Sequence, residues 1–196
     1  MRRQRALTAL DKADRRLFRR VARSHSPLLD DLLPPLTRAA NFSILWMGIA
    51  TVLALVGGRF GRRAAARGMA SVAVTSPLVN LVLKFVFPRA RPSLRSVPVV
   101  RRLARQPAST SFPSGHAASA FAFAVGVSAE MPAVAPPLGM LATTVAYSRV
   151  YVGVHYPSDV LAGAAIGSSI ALLSLSATDP RSAAPARAAR SGGSCR

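Results

Sequence analysis

The sequence predicts an all-α fold, a multi-span transmembrane helix bundle with an N-terminal amphipathic helix. Three observations predict it. Hydrophobic residues make up 51% of the 196-residue chain. They fall in blocks of helical length rather than in alternation, and most of the arginines lie between the blocks.

The elements follow in chain order. The basic stretch "MRRQRALTALDKADRRLFRRVARSHS" carries Leu7, Leu10, Leu17, Phe18 and Val21 at roughly helical intervals, so residues 1–40 read as an amphipathic surface segment. It lacks the apolar region of a secretory signal. A solvated charged arm is the other reading, and His25 is a surface residue on either. Five apolar segments make a transmembrane core over 41–177: 41–58, 68–87, 116–131, 133–150 and 159–177. Glu130 and Pro132 interrupt the third. Gly163 and Gly167 form a small-residue pair in the fifth, suited to close helix packing in lipid; a soluble helical core would show more Leu, Ile and large aromatics. Residues 88–112 form the longest polar connection, and 178–196 read as a disordered low-complexity tail.

Charge narrows the partners. Lys and Arg number 26 against 7 Asp and Glu, a formal net charge of +19. Such a surplus also suits nucleic acid, but here it flanks apolar runs, where it contacts anionic headgroups or sets topology. A bilayer with anionic headgroups is therefore the expected partner, and nucleic acid is not. Most Lys and Arg fall on the side of the N-terminus and the polar clusters below; several are candidate site residues, so the count does not assign that side to the cytoplasm. The single Cys195 forms no intramolecular disulfide. The Arg and Ala bias points to a bacterial source, hence a multi-pass protein of the cell membrane.

Three polar clusters sit at segment ends: "KFVFPRARP" (84 to 92), "PSGH" (113 to 116) and "SRVYVGVHYPSD" (148 to 159). If the segments alternate across a bilayer, all three face one side. They would gather Lys84, Arg91, Arg149, His116, His155 and Asp159 beside a helix start. Three cations near lipid need an anion, and a phosphate group suits two guanidiniums and an ammonium. Ser114 and Gly115 open a helix whose free N–H groups and dipole favour the same ligand. A neutral His155 held by Asp159 can attack phosphorus, and His116 can protonate the leaving oxygen. A metal site on His116, His155 and Asp159 is disfavoured by the three cations, so neither metal nor cofactor is expected.

Lys84 to Pro92, then Pro113 to His116, then Ser148 to Asp159 together resemble the tripartite signature of the type 2 phosphatidic acid phosphatase superfamily, ordered and correctly spaced over 76 residues. The hydrophobic pattern extends the resemblance from 41 to 177. It implies a metal-independent lipid phosphatase acting through a phosphohistidine. His155 is then the nucleophile, Asp159 its partner and His116 the acid; Lys84, Arg91, Ser114, Gly115 and Arg149 bind phosphate. The expected substrate is a phosphomonoester or diphosphate of a phospholipid or polyprenyl lipid. Usual membrane members have six spans, whereas five are found here with a basic N-terminus in place of the first. A vanadate-dependent haloperoxidase-like enzyme and a non-catalytic lipid-binding protein are the alternatives. Oligomeric state is not readable.

Overall fold

A computed structural model describes residues 2–178; residues 179–196, with most of the expected tail and Cys195, lie outside them. Among the described residues the chain is helical and has no strand. The principal helices are α1 (Arg2–Arg23), α2 (Pro27–Ala39), α3 (Ile44–Val56), α4 (Gly58–Pro77), α5 (Lys84–Val86), α6 (Gly115–Ser128), α7 (Ala135–Tyr151) and α8 (Pro157–Thr178).

At the centre lies α6, which packs against α4, α7 and α8. It is apolar nearly all round, as a helix surrounded by others must be, with Ala117, Ala118, Ala120, Ala122 and Phe123 fully buried. Small residues set the α6–α8 spacing: a Cβ on Gly163 would lie 2.4 Å from the Ser114 carbonyl oxygen, and one on Gly167 2.0 Å from that of Ala118. The glycine pair read from the sequence is thus where two backbones touch. Trp46 of α3 stacks obliquely on Phe123 at 5.3 Å between ring centres.

The five expected segments differ in how far each could reach across a bilayer. Gly58–Val86 is one continuous helical stretch of 29 residues, long and apolar enough to cross a bilayer, as is Pro157–Ser174. The former begins about ten residues before the expected second segment, because the Ala- and Arg-rich run after Gly58 favours helix and contains no proline. Pro77, which lacks an N–H, is followed by a wider π turn over Leu78–Leu83 that leads into Lys84. Pro27–Ala39 and Asn41–Val56 meet at 67° and would make a third, broken crossing. By contrast α6 has 14 residues, about 21 Å of helix, and sits inside the bundle. Exposed Leu55, Leu81, Phe85, Leu161 and Leu173 form outer apolar faces of the kind that lipid covers.

The N-terminal segment folds as two helices that rest on the bundle, α1 against α7 and α8 and α2 against α7. Of the apolar positions read from the sequence, Phe18 and Val21 face the bundle. Asp14, Phe18 and Ala22 are buried, while Leu10 and Leu17 are exposed. Phe18 and Ala22 share a core with Val97, Val150, Tyr156 and Val160, beside the polar clusters.

Candidate active site

The three clusters meet around a cavity of about 580 Å³ lined in part by Lys84, Arg91, Gly115, His116, Arg149 and His155. Each comes from a different segment end. Lys84 follows the π turn, Arg91 lies in the loop after α5, Gly115 and His116 open α6, Arg149 closes α7, and His155 lies in the turn before α8. Among the described residues, no Asp or Glu lines this cavity.

The cations are held by neutral groups. Lys84 Nζ donates to Ser109 Oγ at 3.2 Å. Arg91 donates to the carbonyls of Val154 at 2.6 Å, Ser109 at 2.9 Å and Thr110 at 3.2 Å, which ties the long loop to the turn carrying His155. Arg149, 1% exposed, donates to Thr37 Oγ1 at 2.6 Å, and its Nε has no hydrogen-bond partner. Burial lowers the pKa of Arg91, with Asp159 opposing. Positive charge without carboxylates on a half-enclosed surface makes a site for an anion.

His155 is buried, and its Nδ1 lies 3.6 Å from Asp159 Oδ2, too far for a hydrogen bond, leaving Nδ1 without a partner. Burial pushes the imidazole down to about 4; Asp159 opposes this, and Arg149 and Arg91 add to it. The ring is therefore neutral at neutral pH, the state a nucleophile requires. Asp159 lies behind His155 and does not line the cavity. Its Oδ2 accepts from Ser111 Oγ and from the Tyr156 N–H at 2.8 Å, and its Oδ1 accepts from Arg89 at 2.6 Å.

His116 has its Nε2 2.8 Å from Asn41 Oδ1. Gly115 gives Asn80 room: a Cβ there would lie 2.5 Å from Asn80 Oδ1. Ser114 is buried and does not line the cavity; its Oγ caps α6 by accepting from the Ala117 N–H at 3.4 Å. Its backbone N–H donates to the Asp159 carbonyl at 3.0 Å, joining the starts of α6 and α8.

Sequence reasoning missed Arg89, Ser111, Asn41, Thr37 and Asp14. Arg89 stands inside the first quoted cluster and Ser111 two residues before the second, so both were legible as neighbours. Asn41, Thr37 and Asp14 carry no local signal, since only tertiary packing of α1 and α2 brings them to the site.

Two imidazoles, three cations and a helix N-terminus meet around one cavity in an apolar helical bundle, an arrangement suited to a phosphate ester at a membrane. The chain belongs to the PAP2 superfamily, whose family model matches residues 65–182. It is 40% identical over 103 residues to the undecaprenyl-diphosphatase of Sulfolobus acidocaldarius, covering 52% of this chain and 50% of that protein; the match thus spans half of that relative's length. It is 28% identical over 172 residues to phosphatidylglycerophosphatase B of Bacillus subtilis, covering 81% and 80% of the two chains. Among solved structures it is similar to Aquifex aeolicus LpxE, with a TM-score of 0.67 and 28% identity over 82% of this chain and 93% of that one.

Proposed function

We propose that this chain is an integral-membrane lipid phosphatase that hydrolyses a phosphomonoester or diphosphate of a phospholipid or polyprenyl lipid through a phosphohistidine. One observation carries the reading: a cation-lined cavity free of carboxylates, into which a buried neutral His155 projects beside the start of α6. His155 attacks phosphorus while Asp159 stabilises the imidazolium that develops. His116 gives a proton to the leaving oxygen, then takes one from the water that hydrolyses the phosphoenzyme. Lys84, Arg91, Arg149 and the N-terminus of α6 at Gly115 stabilise the phosphoryl oxygens as charge builds on them, and Ser114 serves by capping that helix rather than by touching the ligand. Three cations already meet the anion, so the reaction needs no divalent metal.

The relatives' names support the substrate class, since one is named for a polyprenyl diphosphate and another for a phosphatidylglycerophosphate. Arg16, Arg19, Arg20 and Arg23 cluster on the exposed side of α1, beside exposed Leu10 and Leu17. That surface suits anionic headgroups of a bacterial cell membrane. The outer apolar faces and the named relatives do not favour a haloperoxidase.

The test is phosphate release by purified protein in detergent against phosphatidic acid, phosphatidylglycerol phosphate and prenyl mono- and diphosphates, with excess EDTA present. Turnover by the wild type and none by a folded His155→Ala variant are expected. Retained turnover in that variant, or strict dependence on added metal, overturns the mechanism.

A further inference from the structure

Arg89 stands between Asp159 and two carboxylates of α1, Asp14 and, at the longer distance of 3.4 Å, Asp11. One arm of its guanidinium donates to Asp159 Oδ1 at 2.6 Å and to Ser158 Oγ at 2.8 Å. The other donates to Asp14 Oδ2 at 2.7 Å. Its plane lies over the Tyr156 ring, 4.3 Å from the centre, which limits where the fork can point. Burial works against its charge, but Asp14 and Asp159 raise its pKa.

Asp14 does more than neutralise Arg89. It is 6% exposed, and it accepts from the Ser158 N–H at 2.9 Å and the Ser158 hydroxyl at 2.6 Å. Those bonds satisfy donors at the first turn of α8, the turn that carries Asp159. A carboxylate on α1 thus performs for α8 what a residue just before the helix would ordinarily do. The family match begins at residue 65, so α1 lies outside it.

We infer that Arg89 is a positioning residue that fixes the Asp159 carboxylate against His155, and that Asp14 on α1 fixes Arg89, so the N-terminal helix completes the catalytic machinery. Both Asp159 oxygens are engaged: Oδ2 faces His155 and is held by Ser111 and Tyr156, while Oδ1 is held by Arg89. Remove the guanidinium and Oδ1 loses its charged partner, leaving Ser111 and Tyr156 alone to hold the carboxylate against Nδ1. The imidazolium formed on attack is then less stabilised, whereas the cavity cations that bind the phosphate are untouched. The loss falls on the chemical step rather than on binding.

The inference rests on the phosphohistidine reading, and the experiment keeps the two separable. Lipid phosphate release is measured for the wild type, His155→Ala, Arg89→Met, Asp14→Asn and the Asp14→Asn/Arg89→Met double variant, with kcat expressed per site titrated by orthovanadate so that unfolded protein is not counted. Arg89→Met is expected to lower kcat 10- to 100-fold and Asp14→Asn about tenfold, each with KM within twofold. Asparagine keeps an oxygen that accepts from the Ser158 N–H, so what Asp14→Asn removes is the charge that holds Arg89, and the double variant should be no slower than Arg89→Met alone. Per-site kcat unchanged in either single variant, or effects that multiply in the double, overturns the inference while wild-type turnover and an inert His155→Ala keep the reaction. An active His155→Ala sinks the reaction itself.

Discussion

His116 Nε2 lies 2.8 Å from Asn41 Oδ1, which ties the proposed proton donor to the bend between α2 and α3. An amide oxygen only accepts, so the shared proton sits on Nε2. Asn41 opens a short turn in which Phe42 and Ser43 take φ of 52° and 60°, a conformation that tertiary packing has to hold for residues with a Cβ.

Asn41→Ala frees the His116 ring to rotate. We expect kcat to fall about tenfold with little change in KM, as misorientation of a catalytic group predicts. Steady-state phosphate release checks it, and unchanged kcat refutes the role.

Arg149 has one side-chain partner among the described residues, Thr37 Oγ1 at 2.6 Å. Thr37→Val keeps the shape and removes the acceptor, and should lower kcat/KM about tenfold by loosening the guanidinium. Arg149→Lys should cost about 100-fold or more, since a point charge does not reproduce the planar fork. Equal activity of the lysine variant and the wild type would argue that only net charge matters.

The depressed pKa of His155 makes stability depend on pH. In the unfolded chain a histidine titrates near 6.5; in the fold, burial holds this one at about 4. Between those values the unfolded state binds the extra proton. The stability is therefore complete above about 6.5 and is lost as pH falls through about 4, by on the order of 3 kcal/mol. Thermal unfolding in detergent should show Tm dropping across that window more steeply for the wild type than for His155→Gln. Identical pH profiles for the two proteins would contradict the assignment.

A methyl group on Gly167 would lie 2.0 Å from the Ala118 carbonyl oxygen, and backbone has little freedom to yield. Gly167→Ala should cost about 1–3 kcal/mol, read as a lower Tm and a loosened α6–α8 contact. Because Gly139 has open space around its Cβ position, Gly139→Ala serves as the neutral control.

The clusters that bear chemistry were legible because each packs several polar residues into a few positions at the end of an apolar run, a pattern with few causes. Glycine spacing in 163–167 likewise announced a close contact, and the structure places α6 there. What the sequence hid depends on distance along the chain. Asp14 comes within bonding range of Ser158 only after α1 docks. Thr37 and Asn41 look like ordinary polar residues until α2 and the following bend bring them to Arg149 and His116. The docked side of α1 was only partly legible for a related reason: periodicity marks Phe18 and Val21, but the same side carries an aspartate whose partners, Arg89 and Ser158, lie far away in sequence. Helical content in 59–67 was masked by charge, although Ala and Arg favour helix and Arg67 finds Glu130 at 2.9 Å.

The bonds from Asp14 to Ser158 join two helices whose contacting residues stand 144 positions apart in the sequence. A chain cut before α8 would lack both Asp159, the carboxylate neighbour of His155, and the Ser158 contact that helps to seat α1, so the two helices stand or fall together.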